Sequence, residues 1–227
     1  MGTDDFLLWQ LADSAFPTGG FAHSAGLEAA WQHGEVRNRA ELLAFMETNL
    51  HLLGRAALPF VNTAYDEPAR LADLDQLCNA FLSNHVANRA SRLQGRAFLT
   101  AVERIFIGAR AARPPVSDDD GGRAARAPFA HFAPVFGACL RKLAIPRDTA
   151  LRLFFFNHLR AVLAAAVRLN IVGPMEAQVL QHRLSSLAVE MAARSATFTL
   201  ADLAQTAPLL DLWQGAQDRL YSRLFQS

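Results

Sequence analysis

The residues most able to do chemistry crowd between Asp13 and Glu28, where Asp13, Ser14, His23, Ser24 and Glu28 share one stretch with Pro17, Gly19 and Gly20. Within it, Ala22-His23-Ser24-Ala25-Gly26 has the outline of a relaxed serine-hydrolase elbow with Ser24 as nucleophile. That elbow requires a buried strand before the serine and a helix after it. What precedes Ser24 is a Pro/Gly loop behind Phe6, Leu7, Leu8, Trp9 and Leu11, a helical run, so the hydrolase is the weakest reading. A phosphate loop needs a lysine after its glycines. The only lysine is Lys142, which removes that reading. His23 has no His, Cys, Asp or Glu at ligand spacing, and neither the seven scattered histidines nor Cys78 and Cys139 outline a metal site. No cofactor is expected, and no residue is assigned catalysis.

Backbone chemistry explains why the stretch is a loop. Pro17 fixes its own φ and pushes Phe16 toward extended backbone, and Gly19 and Gly20 permit positive φ. From Phe21 to Trp31 a helix-compatible pattern returns and stops near Gly34.

The rest of the chain reads as helices that must position this loop. Three-and-four spacing of apolar residues predicts helices over 41–57, 71–82, 84–107, 129–145 and 149–171, the second of them following breaks at Pro59 and Pro68. The 149–171 element is apolar on almost all sides and is expected to be the buried central helix. Arg152, Asn157, His158, Arg160 and Arg168 deny it the uninterrupted run of roughly 20 residues that a bilayer requires. Gly173-Pro174 reads as a C-cap followed by a new helix start, Thr199 to Asp202 as a capping box with Asp in the Glu place, and 209–224 as a final helix. Arg89, Arg92, Arg96 and Arg104 form a row beside the apolar stripe of 84–107, a solvated face or a surface for an acidic partner. Between 109 and 128, paired prolines, Asp118-Asp119-Asp120 and Gly121-Gly122 predict a mobile insertion; the spaced ligands of a calcium loop are missing.

With 227 residues, 52% of them hydrophobic, the chain is expected to be one all-α domain of nine or ten helices. A formal net charge of +1 argues against a nucleic-acid partner. Two isolated cysteines and no basic, apolar leader fit a cytoplasmic protein.

The run Leu11 to Ser24 followed by Gly26-Leu27-Glu28 resembles the N-terminal signature of the urease accessory protein family UreF. Further resemblances follow in family order at Ser91 to Arg96, His131 to Gly137, Arg168 to Pro174 and Tyr221 to Phe225. The resemblance implies a helical, non-enzymatic, homodimeric protein that bridges UreD (UreH in some organisms), the GTPase UreG and apo-urease during nickel loading. It carries partner-binding roles onto Asp13, Ser14, Pro17, Gly19, Gly20, His23 and Glu28, and onto Tyr221, Ser222, Arg223, Leu224 and Phe225 of a C-terminal segment, 209–227, that docks on UreD/UreH. Glu28 is the candidate coupling residue, with an intramolecular salt bridge or cap as its structural alternative. A helical interaction module of an unrelated pathway is the competing reading.

Overall fold

Asparagines and prolines set five of the helix starts among the described residues. Asn38 Oδ1 accepts from the backbone N–H groups of Ala40 and Glu41 at 2.9 and 3.1 Å, opening α3 (Arg39–Ala56), and Asn84 does the same for α6 (His85–Val102). Prolines, which lack the N–H that a first turn leaves unpaired, stand in the first turns of α4 (Leu58–Asp66), α9 (Pro174–Ser195) and α10 (Pro208–Ala216). The remaining helices are α1 (Asp5–Ala12), α2 (Leu27–Gln32), α5 (Leu71–Phe81), α7 (Phe132–Lys142) and α8 (Arg147–Arg168). The computed structural model describes residues 5–108 and 128–227, and within them the fold is all-α. The insertion expected over 109–128 lies, but for its last residue, outside the described residues.

The apolar 149–171 pattern becomes α8, which packs against α1, α2, α3, α4, α7 and α9. Its interruptions have structural uses: Arg160 donates to the Ala12 carbonyl at 2.7 Å and Arg168 to that of Phe21 at 2.6 Å. Contrary to the sequence expectation, α8 is long and apolar enough to cross a membrane by length and composition, as the core helix of a helical body also is; its arginines tie the N-terminal segment to that body. Phe154 of α8 joins Phe98, Phe132 and Phe136 in one aromatic cluster, with neighbouring ring centroids 5.1–5.7 Å apart. Phe16 of the Pro/Gly loop enters this cluster, edge-on to Phe98 at 6.0 Å. The loop is thereby nailed to the core by one ring.

Two of the motif regions have structural work to do. Gly137 lets α7 cross α4 backbone to backbone, since a Cβ there would lie 2.3 Å from the Val61 carbonyl oxygen; at Gly95 one would lie 1.9 Å from that of Ala130. Ser91 accepts from the Phe132 N–H at 3.1 Å and touches His131 Nδ1 at the same distance. The buried Asp75 accepts from the N–H groups of Phe129, Ala130 and His131 at 2.7, 3.0 and 2.6 Å, satisfying the approach to α7. Burial holds His131 well below the usual histidine range, at about 4, against the pull of Asp75.

The break at Pro59 is present as read: α3 ends at Ala56, and Pro59 sits in the first turn of α4. Three boundaries differ from the sequence reading. The 84–107 helix changes to π-type hydrogen bonding at Glu103–Ile107. Gly173 is not a C-cap: its φ is −76° and it opens α9, while Asn170 at φ 57° takes the left-handed position after α8. The 209–224 helix stops at Ala216, a short 3-10 turn covers Gln217–Arg219, and the chain then runs without helix to its last described residue. The Thr199–Asp202 capping box is present as read.

Candidate functional site

The second half of the Pro/Gly loop and the segment after Ala216 meet in one junction. Gly19, at φ 71°, turns the chain into a 3-10 turn over Gly20–Ala22, and Gly26, at φ 85°, turns it again into α2. A side chain at Gly26 would press on the Gln214 backbone nitrogen of α10 at 3.0 Å, so the second turn also lets α2 lie against α10. These turns aim His23, Ser24 and Glu28 inward, and all three are buried.

Glu28 organises the junction. One carboxylate oxygen accepts from the Leu224 N–H at 2.6 Å; the other accepts from the Phe225 N–H at 3.2 Å and from the Gln217 side-chain amide. Among the described residues no cation is paired with this 1% exposed carboxylate, which makes its three N–H donors its means of charge stabilisation. Beside it, the Ser24 N–H and hydroxyl both donate to the Ser227 carbonyl, His23 Nδ1 lies 2.6 Å from the Ser227 hydroxyl, and the Gln226 N–H donates to Ala22 at 2.8 Å. Ser24 is therefore a buried structural hydroxyl, and no strand precedes it among the described residues. The hydrolase elbow lacks both its exposed nucleophile and its strand. Burial, followed by the nearby Arg89 charge, lowers His23 to about 4.

Arginines close the outside. The Arg168 guanidinium lies between the rings of Phe21 and Phe225, 3.9 and 4.2 Å from their centroids, and donates to Phe21 and Leu224 carbonyls. Arg89 makes a two-pronged pair with Asp218 at 3.0 and 2.8 Å, which Arg223 joins at 3.0 Å; the Arg89 hydrogen bond holds Asp218 below the usual carboxylate range. The Arg89 end of the arginine row is thus engaged within the chain.

The structure gathers His23 and Glu28 with Ser222, Arg223, Leu224 and Phe225, residues some two hundred positions apart, while Gly19 and Gly20 shape the turn that leads to His23. Ser222 takes part through its carbonyl, which accepts from the Gln32 side chain at 2.9 Å. Tyr221 is fully exposed, at 106%, beside a 58% exposed Leu224 and a 71% exposed Phe21. Asp13, Ser14 and Pro17 stand apart on the exposed face of the loop's first half; Asp13 accepts from the Ala15 N–H at 2.9 Å and Pro17 lies over α6. Arg168, Gln217 and Asp218 belong to the junction and sequence reasoning did not single them out for it. Their signal was weak: polar residues on apolar helices, with partners far along the chain. Among the described residues, no three of His, Cys, Asp and Glu converge on a metal-sized site. Cys78 and Cys139 are free, buried thiols whose pKa values burial raises, that of Cys139 to about 12.

Comparison with known proteins fits this geometry. The sequence model of the UreF family matches residues 36–185, the helical body between the two halves of the junction. Urease accessory protein F of Oryza sativa subsp. japonica is 39% identical over 219 residues, spanning 96% of this chain and 83% of that protein. The Arabidopsis thaliana protein of the same name is also 39% identical, over 225 residues, spanning 96% and 91%. Urease accessory protein UreF of Mycobacterium tuberculosis strain H37Rv is 32% identical over 223 residues, 97% of this chain and 98% of its own. These relatives cover nearly the whole chain, and the chain belongs to the UreF family of urease accessory proteins.

Proposed function

We propose that this chain acts in urease maturation as a non-enzymatic, homodimeric cytoplasmic factor that holds UreD/UreH, the GTPase UreG and apo-urease together. In that assembly it couples the nucleotide state of UreG to nickel insertion. Nickel is the cargo of the process; no cofactor is assigned to the chain. The observation that supports this reading is the junction itself, where the loop and the tail meet on one surface whose inside is fastened and whose outside carries exposed apolar side chains among its arginines. Tyr221, Leu224 and Phe21 face water around the buried Glu28 anchor. Covering such side chains gains roughly 25 cal/mol per Å² of apolar surface, and aromatic residues dominate interface energetics. Glu28 then serves docking indirectly, by fixing the backbone that presents Tyr221 and Leu224. Asp13, Ser14 and Pro17, on the far half of the loop, supply a second contact.

The test is urease activation in nickel-supplied cells that lack their own UreF and express the cognate urease, UreD/UreH and UreG. The intact chain restores activity. The Tyr221→Ala, Leu224→Ala double variant loses about tenfold or more while its thermal unfolding is unchanged, as expected for exposed residues. Loss of the stable fold in that variant would remove the docking role of the tail. Failure of the soluble, intact chain to restore any activity would return it to an interaction module of another pathway.

A further inference from the structure

A second surface lies on the other side of the signature loop. Arg92, Arg96, Thr100 and Arg104 recur every four residues, so they form a strip along α6 and its π-type extension. Between Arg96 and Arg104 runs a depression of about 430 Å³. Its floor is Ala97 and Ala101, and its apolar walls are Pro17 from the loop and the 46% exposed Ile105. Small floor residues let another backbone approach closely, while the two arginines stand at its ends. At 1.5 Å per residue their attachment points are on the order of 12 Å apart.

Among the described residues neither Arg96 nor Arg104 has a carboxylate within ion-pair distance, unlike Arg89 on the same helix. Arg96 makes one hydrogen bond, to the Phe129 carbonyl at 3.3 Å, which steadies it without neutralising it. Glu103, adjacent to Arg104 in sequence, makes no ion pair with it, and Asp13 of the signature loop lies within electrostatic reach of Arg160. The change to π-type hydrogen bonding at Glu103–Ile107 falls at one end of the groove. Single-turn departures of this kind re-aim side chains and concentrate at functional positions.

We infer that this groove docks an acidic, extended segment of a partner protein, with an apolar side chain seated on the alanine floor between two carboxylates that pair with Arg96 and Arg104. Extended chain rises about 3.3 Å per residue, so a span of some 12 Å separates carboxylates four residues apart. Planar guanidinium groups bind carboxylates in two-pronged fashion, which favours this occupant over a purely apolar one. The surface is distinct from the Glu28 junction, and the inference stands whether or not the tail docks a partner.

The experiment uses the full chain and a fluorescein-labelled peptide, Gly-Ser-Asp-Ala-Leu-Ala-Asp-Ser-Gly, followed by fluorescence anisotropy at low and high salt. Controls are the same peptide with both aspartates changed to asparagine and one with the aspartates adjacent. Binding weakens with salt; it falls roughly tenfold in Arg96→Gln, Arg104→Gln, and about threefold in Arg104→Gln alone, whose exposed side chain leaves thermal unfolding unchanged. Equal binding by the variants or by either control peptide, or no binding at all, overturns the inference. Displacement by tripolyphosphate or a short RNA at lower concentration than by unlabelled peptide also overturns it, making the groove a phosphate site.

Discussion

Two buried carboxylates in this molecule solve the same electrostatic problem with donors far along the chain, 54–56 residues away in one case and 189–197 in the other. Asp75 and Glu28 are 0% and 1% exposed, and each is satisfied by three N–H donors. The donors to Asp75 are consecutive backbone groups leading into α7, enclosed by the phenylalanine cluster. Those to Glu28 come from a peripheral tail that Gln32, Arg89 and Arg168 also hold and that carries exposed Tyr221 and Leu224 on its outer side. The same device therefore builds the core in one place and fastens a peripheral strap in the other. A buried charge by itself does not distinguish function from fold; what lies on the far side of its partners does.

Removing the carboxylates should separate the two roles. Asp75→Ala leaves three buried N–H groups unpaired and is expected to cost ~4 kcal/mol of global stability, read from urea denaturation. A loss under about 1 kcal/mol would mean that the N–H groups find water and that the comparison fails.

A smaller effect follows from acid. Burial sets His131 and His23 at about 4 in the folded chain, below the ordinary value of about 6.5. As pH falls through that window the unfolded chain binds more protons than the folded one, so the contribution of each histidine is present above 6.5 and is lost toward 4. Between pH 6.5 and 5, His131 should account for about 2 kcal/mol of lost global stability, and His131→Asn should flatten that slope. His23→Asn should flatten only local opening of the tail, seen as amide exchange at Gln226. A flattened global slope in both variants would merge the two regions into one cooperative unit.

Smallest in global terms is Glu28→Ala, about 1 kcal/mol, because the tail can detach and hydrate its own N–H groups. Locally it is large: amide exchange at Leu224 and Phe225 should quicken about a hundredfold while Leu140 and Phe155 stay protected. Uniform acceleration across all four amides would show that the strap is part of the core.

The fold was legible wherever apolar spacing decided it. The 149–171 pattern anticipates α8 to within a few residues, and the Thr199–Asp202 box is read correctly. The junction was legible only as a pair of motifs, because the contacts joining Glu28 to Leu224 and Phe225 span nearly two hundred residues and leave no local period. The tail shows how such a contact overrides one. Its apolar spacing continues to Leu224, but Glu28 captures N–H groups that further helical turns would have used, so the helix stops at Ala216. Gly173 does not take the C-cap role read for it because a following proline favours extended backbone before it, and the left-handed turn falls to Asn170. Asp75 was missed because a carboxylate inside an amphipathic helix looks like its solvated face.

The Gln217 amide touches both Glu28 and the Phe225 carbonyl, and those two residues of the tail are eight positions apart. The stretch between them is thus a ruler. Substitutions at Tyr221, Ser222 or Leu224 leave its ends in place, whereas insertion or deletion of one residue misplaces every hydrogen bond that Glu28 accepts from it. The side chains exposed between those ends can thus be exchanged one for one, while the number of residues between them is set by the contacts at Gln217 and Phe225.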